Sequence, residues 1–214
     1  VGSELSDPSG DEGGAGLPTP LPDDRWEGED VLKWGQWWGI PTLQVFYSLP
    51  SSNDRLKELA LEGAEPFSVV LAETQTAGRG RGGRGWHSPT GMGLWVSVLL
   101  ESPREPSALP ILPLRVGMAL ARAVEVAVPP LRPGIKWPND LVVDGRKAAG
   151  ILCEVVQGAG GGAGVVVGLG VNLRQEAGDF PPELRRGAVS LTMAAGYPPD
   201  RSFLLGSFLS ILRS

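Results

Sequence analysis

Three arginines set into a glycine-rich run, Thr76-Ala-Gly-Arg-Gly-Arg-Gly-Gly-Arg-Gly-Trp86, are the residues of this chain best suited to chemistry. No acid lies between Glu73 and Glu101 to oppose Arg79, Arg81 and Arg84. A guanidinium offers a planar fork of donors for carboxylate or phosphate, and glycine lets the backbone approach an anion and adopt φ > 0. Trp86 adds a flat apolar surface. Such parts suit a ligand that carries an anion and a planar ring.

Other readings of the loop are weaker. Gly78-x-Gly80-x-x-Gly83 matches a dinucleotide fingerprint literally, but that pattern must open a helix, and Trp86-His-Ser-Pro89 follows instead. Arg-Gly repeats also occur in RNA-binding segments, yet no second basic cluster supplies the broad footprint RNA needs. A merely solvated loop is the remaining alternative.

The elements around the loop read as α/β. Leu43 to Tyr47 alternates like a strand, and Asn53 to Glu62 has helical spacing with serines ahead of it as caps. Ser68 to Glu73 and Leu94 to Leu100 are apolar strands. Ser107 to Val128 is a long helix with Pro110 and Pro113 in its first turns. Leu141 to Val143 and Ala148 to Val156 flank Asp144-Gly145, a strong hairpin signal. After a Gly-rich turn at 158–164, Val165 to Val171 is a strand, and Ser202 to Leu212 is a final helix.

Composition narrows the function classes. Gly (31) and Pro (20) approach a quarter of the 214 residues, which predicts many turns rather than a helical bundle. One cysteine, Cys153, and one histidine, His87, exclude a disulfide framework and make a zinc enzyme implausible. No run reaches the roughly 20 continuous apolar residues of a membrane helix, so a soluble, reducing, cytoplasmic setting is expected. Residues 1–30 hold nine acids against Arg25 alone, so the rest of the chain is net positive despite a total charge of −5. This segment is expected to be a disordered acidic tail, with the folded domain at 31–214.

The loop, followed by Ser88-Pro89, resembles the ligand loop of the biotin–protein ligases. Ser51-Ser-Asn-Asp54, Lys136-Trp-Pro-Asn-Asp140 with Gly145-Arg-Lys147-Ala-Ala-Gly-Ile-Leu152 and Glu154, and Gly168-Leu-Gly-Val-Asn172 resemble three further family motifs in the right order. The resemblance extends from about residue 43 to 212. It implies a mixed, largely antiparallel sheet with helices on one face, related to the class II aminoacyl-tRNA synthetases. It also implies ATP-dependent activation of biotin to biotinyl-5′-AMP with Mg²⁺, then transfer to a lysine of a biotin carboxyl carrier protein.

Residue roles follow from the matched motifs. Ser51, Ser52, Asn53 and Gln75 are expected at the ureido ring, with Gly78, Arg79, Arg81 and Gly150 completing the biotin site. Leu152 and Gly170 are expected along the slot for the ring and tail. Lys147 is the first candidate to bridge the carboxylate and α-phosphate, with Arg81, Lys136 and Asp140 as further catalytic residues. Arg79, Arg84, Trp86, Lys136, Asn139 and Asn172 are expected at the nucleotide, and Asp140 near Mg²⁺. Taken singly, Lys136 and Asp140 read equally as a surface ion pair, Asn172 as a strand-end turn residue, and Trp137 as core. Cys153 reads as buried and inert, and His87 has no partner for triad chemistry.

Two departures matter. Ser52 stands where threonine is usual, and Gly82 where the loop often has a larger side chain. Family members also continue into a small barrel-like C-terminal domain, which is expected to be missing after Ser214. Without an N-terminal DNA-binding domain, no operator binding is expected. A homodimer stays open, as do a lipoate or octanoate ligase and a non-catalytic biotin-binding module.

Overall fold

The computed structural model describes residues 16–158 and 162–214. The expected tail at 1–15, and part of the Gly-rich turn at 158–164, lie outside the described residues. Ten strands and five helices alternate along the described chain. They are β1 (Thr19–Pro20), β2 (Arg25–Trp26), β3 (Glu29–Asp30), α1 (Val31–Trp38), β4 (Leu43–Leu49), α2 (Ser52–Leu61), β5 (Val69–Gln75), β6 (Gly93–Glu101), α3 (Leu112–Ala127), β7 (Gly134–Lys136), β8 (Asp140–Val143), β9 (Arg146–Gln157), β10 (Ala163–Asn172), α4 (Leu191–Ala195) and α5 (Arg201–Arg213).

Eight strands form one sheet in the order β1-β4-β5-β6-β10-β9-β8-β7. Only β4 and β5 run parallel, which obliges a crossover, and α2 is that crossover. The rest pair antiparallel. This is the mixed, largely antiparallel α/β sheet expected. Asp144 and Gly145 both take positive φ (49° and 73°), as a two-residue hairpin turn demands, and join β8 to β9.

Alternation along the strands divides two cores. Val69, Leu71, Val96 and Val167 face α3 (Val116, Leu120, Val124) and α5 (Leu204, Phe208). Val70, Ala72, Leu99 and Val166 face α2 through Leu56, Leu59 and Ala60. Each fully buried Leu or Phe contributes about 1.5–3 kcal/mol. The expectation of helices on one face therefore holds for α1, α3 and α5, while α2 packs on the other. Pro106–Ala127 is long and apolar enough to cross a membrane by composition, but its apolar stripe rests on the sheet and α5. Its first part, Pro106–Ile111, is a 3₁₀ helix rather than α, since Pro110 lies inside it and Pro113 begins α3.

The reading of 1–30 as wholly disordered needs correction. Residues 19–30 form β1 to β3, and Trp26 is only 2% exposed. Its Nε1 donates to Glu73 at 2.8 Å, and its ring meets Trp34 and Trp38 edge-on. Arg201, at the start of α5, is buried between Glu27 and Glu73, the latter at 2.8 Å. One of the segment's acids, Glu27, is matched by a buried cation 174 residues away, which composition does not reveal. Helix α1 was not expected either. Asp30 caps it by accepting from the Leu32 N–H, and Gly39 ends it at φ 61°.

Candidate active site

The floor of the site is two rows of residues across the sheet. Ala72, Trp95, Gly170, Gly150 and Asp140 stand in register on β5, β6, β10, β9 and β8. Beside them run Val70, Ser97, Gly168 and Leu152. The glycines clear space for what lies flat upon them. A Cβ on Gly170 would stand 2.3 Å from the Trp86 indole, and one on Gly168 2.2 Å from Asn53 Oδ1.

At the start of α2, Ser51 caps the helix, its Oγ accepting from the Asp54 N–H. Ser51, Ser52 and Asn53 are each about 95% buried, yet all three line a cavity of about 310 Å³. The Ser52 N–H and Oγ–H both reach Gln75 Oε1, at 2.8 and 3.1 Å. Gln75 Nε2 donates to Ser88 Oγ at 3.2 Å. Asn53 Nδ2 donates to Glu154 at 2.6 Å, while Asn53 Oδ1 accepts from Ser97 at 2.6 Å. Neither Ser97 nor Asp54 was assigned a role from sequence. Ser97 was hidden because one serine in an apolar strand carries no periodic signal.

The arginine loop folds back over this floor as a hairpin. Trp86 N–H donates to Gly78 O, and Gly80 N–H to Arg84 O. Gly82 and Gly83, at φ 66° and 72°, make a tip that side chains would strain. Arg79 meets Asp54 with two hydrogen bonds of 2.7 and 2.5 Å. The Arg79 hydrogen bond holds the Asp54 carboxyl below its usual range. Arg81 and Arg84 stay exposed at the tip and line the cavity mouth. Trp86 descends to the floor, edge-on to Trp95 at 6.4 Å, and its buried Nε1 has no acceptor. Gly78 lies behind the loop rather than on the cavity wall. A Cβ there would come within 2.9 Å of Trp86 O.

Lys147 follows the Asp144-Gly145 turn. Its Nζ is 2.7 Å from Asp140 Oδ1, a charge contact without hydrogen-bond alignment, and 5.1 Å from the Trp86 ring centroid. Its backbone is held on both sides. Lys147 N–H donates to Gly187 O, and Val189 N–H to Lys147 O. Asn172 Nδ2 reaches Lys147 O and Val189 O, so its amide braces this junction. Asn139 Nδ2 likewise donates to Ile151 O at 2.7 Å. Both asparagines line the cavity with their amide nitrogens already engaged.

Lys136 does not join the group. It is exposed on edge strand β7 and absent from the cavity wall. Trp137, expected in the core, is 78% exposed because β7 is the last strand and nothing covers it. The far wall is a segment that sequence reading missed, with Phe180, Glu183, Leu184, Gly187 and Ala188. It has no periodic pattern, and the backbone bonds around Lys147 help bring it over the site. His87 Nε2 lies 3.1 Å from Asp179 O, a link between loop and wall. Burial pushes the Cys153 thiol up to about 12, leaving it unreactive. Among the described residues no three metal-ligating side chains cluster.

The arrangement joins a hydroxyl- and amide-lined end, a flat indole over glycines, and a rim of cations. Comparison with known proteins shows the family of the chain. The biotin/lipoate A/B protein ligase family model matches residues 45–172. The chain is 38% identical over 161 residues to the bifunctional ligase/repressor BirA of Bacillus subtilis, covering 75% of this chain and 49% of that protein. It is 37% identical over 202 residues to the biotin–[acetyl-CoA-carboxylase] ligase of Mycobacterium tuberculosis, covering 92% of this chain and 71% of that one. Among solved structures, the biotin protein ligase of Aquifex aeolicus in complex with biotin and ATP superposes with a TM-score of 0.69 at 31% identity, over 81% of this chain and 69% of that one. The chain spans about half the length of the ligase/repressor relatives it matches. Matched across all the strands that build the cavity floor, the chain belongs to the biotin/lipoate A/B protein ligase family.

Proposed function

We propose that this chain activates biotin with ATP to give biotinyl-5′-AMP and passes the biotinyl group to a lysine of a biotin carboxyl carrier protein. The observation that carries this reading is one cavity with two chemically distinct parts. Buried Ser51, Ser52, Asn53 and Gln75 supply hydrogen-bonding groups of both kinds, which suit a ureido ring; Lys147, Arg81 and Arg84 supply positive charge beside the Trp86 indole. The dithiolane of a lipoyl group has no N–H to offer the first part.

In the first step a carboxylate oxygen of biotin attacks the α-phosphorus of ATP and the bond to pyrophosphate breaks. Two anions must approach, so fixed cations have to offset their repulsion. Lys147 is held for this by Asp140 below it and by three hydrogen bonds to its backbone N–H and carbonyl. Losing one such preorganised charge costs about 3–4 kcal/mol, or roughly 10²–10³ in rate. Arg81 and Arg84 reach the triphosphate from the loop tip, and Arg79 latches the loop. The Trp86 indole and the apolar wall of Phe180 and Leu184 shelter the adenylate. Asp140, beside Lys147, would offer one carboxylate to a Mg²⁺ ion arriving with ATP, and that ion would supply further charge to offset the phosphates. In the second step the carrier lysine amine attacks the acyl carbon, loses a proton, and AMP leaves.

The test is pyrophosphate release by the chain with MgATP and either biotin, lipoate or octanoate. Release with biotin alone supports the reading. Equal or greater release with lipoate or octanoate overturns it.

A further inference from the structure

Glu154 takes no part in the reaction above and does not line the cavity, yet it ends a chain of hydrogen bonds that leads into it. It stands on β9 on the same face as Gly150 and Leu152, opposite Val166 of β10. Its Oε2 accepts from Asn53 Nδ2 at 2.6 Å and its Oε1 pairs with Lys57 at 2.6 Å. We propose that Glu154 is a positioning residue that fixes the direction of the hydroxyl protons in this pocket and so makes Ser52 an acceptor for a ligand N–H. The inference rests on the biotin reading and extends it to the source of selectivity.

The protons along this chain of contacts can be counted. An ionised carboxylate can only accept, so Asn53 must turn its NH₂ toward Glu154 and its Oδ1 the other way. Oδ1 meets Ser97 Oγ at 2.6 Å and takes the one proton that hydroxyl has. Ser97 Oγ can then only accept from Ser52 Oγ, 2.8 Å away. Gln75 Oε1 competes for the Ser52 proton at 3.1 Å, but it too is only an acceptor, already turned toward the Ser52 N–H. Whichever neighbour receives it, the Ser52 proton stays within the protein. No group around Ser52 has a proton to give back. The pocket is therefore short of a donor at Ser52, and a ring N–H of the ligand supplies it.

The surroundings hold this state. Asn53 is 5% exposed and Ser97 fully buried, so little of either is open to solvent. Gly168 has no Cβ where the Asn53 amide lies, which lets that amide rest flat on β10 between Ser97 and Glu154. Burial works against the Glu154 charge, but hydrogen bonds from Asn53 and Lys57 outweigh it and hold the carboxyl below its usual range. Glu154 is thus ionised at neutral pH.

The experiment compares the wild-type chain with Glu154→Gln, Ser97→Ala, the double variant and Lys57→Gln. The readouts are biotin-dependent pyrophosphate release with MgATP and biotin binding by calorimetry. Glu154→Gln offers Asn53 a donor as well as an acceptor, so the amide loses its single orientation. The KM for biotin and its Kd are expected to rise about 10- to 100-fold. The kcat and the KM for ATP should stay within about threefold. Ser97→Ala should match it, and the double variant should cost no more than the larger single change, because both break one chain. Lys57→Gln removes one of the two donors that keep Glu154 ionised but leaves the Asn53 contact, so it should raise the KM for biotin less than Glu154→Gln does; a larger rise would overturn the inference. Unchanged KM for biotin in Glu154→Gln, equal losses in biotin and ATP, or additive losses in the double variant would overturn the inference while leaving the biotin reading intact. A wild-type chain that binds no biotin would overturn both.

Discussion

Arg79 and Asp54 face each other with two parallel hydrogen bonds, 2.7 and 2.5 Å, and so tie the glycine-rich loop to the first turn of α2. The residue with the most obvious anion-binding chemistry in the loop is thereby already matched by a carboxylate. Its neighbours Arg81 and Arg84 stay exposed at the tip and meet no carboxylate among the described residues. One arginine sets where the loop sits, and in the proposed reaction the other two meet phosphate.

This latch should govern loop closure rather than folding. The pair is partly exposed, so Asp54→Asn is expected to change global stability by no more than about 1 kcal/mol. Amide hydrogen exchange between Gly80 and Trp86 should nonetheless accelerate several-fold. The pH dependence has a definite sign. Asp54 has a depressed value in the folded state, so the latch is fully present above the ordinary aspartate range and is lost as pH falls through that lower value. Wild-type loop exchange, corrected for intrinsic rate, should therefore approach the variant only in strong acid. Convergence near pH 6 would contradict this.

Gly170→Ala is expected to separate binding from folding. The added Cβ would meet the Trp86 indole at 2.3 Å, and Trp86 rides on a loop that can yield. The thermal midpoint should fall only slightly, while Trp86 leaves the floor and biotin affinity drops at least about 10-fold, an effect of over 1 kcal/mol. Calorimetry and tryptophan fluorescence check both parts. Wild-type affinity would show that the indole does not shape the ligand site.

Arg201→Met tests the fold's buried charge cluster. It would leave Glu73, only 12% exposed, without its cation, and Glu27 with Arg174 alone at 3.7 Å. Breaking a buried pair in this way typically costs about 3–5 kcal/mol. Chemical denaturation should show a loss of that size. Lys33→Gln, which removes a surface pair with Glu29, should change stability by less than about 1 kcal/mol.

Much of this architecture is legible in the chain because local rules carry it. The alternation in β5, β6 and β10, the Asp144-Gly145 turn and the serines ahead of α2 each point to a single local geometry. Clustered motifs likewise place Ser52, Arg81, Trp86 and Lys147 around one cavity. What local rules miss is long-range pairing. The Trp26 and Glu27 contacts to α5 lie in a segment whose composition reads as disordered, and they exist only because Arg201 is brought beside them. Lys136 shares a motif with Asp140, yet one residue type at a strand edge cannot report which side of β7 faces the cavity. The amides of Asn139 and Asn172 look like ligand contacts in a one-dimensional motif; in three dimensions they brace backbone.

In the proposed reaction Lys147 stabilises the meeting of biotin carboxylate and ATP. The most direct measurement is mass spectrometry of the chain after incubation with biotin, ATP and Mg²⁺, beside a Lys147→Ala variant. Biotinyl-5′-AMP should form with the wild-type chain, and its rate should fall roughly 10²–10³-fold in the variant, while the thermal midpoint stays close to wild type. Adenylate formation at an undiminished rate in Lys147→Ala, or none with a wild-type chain that binds biotin, would contradict the account.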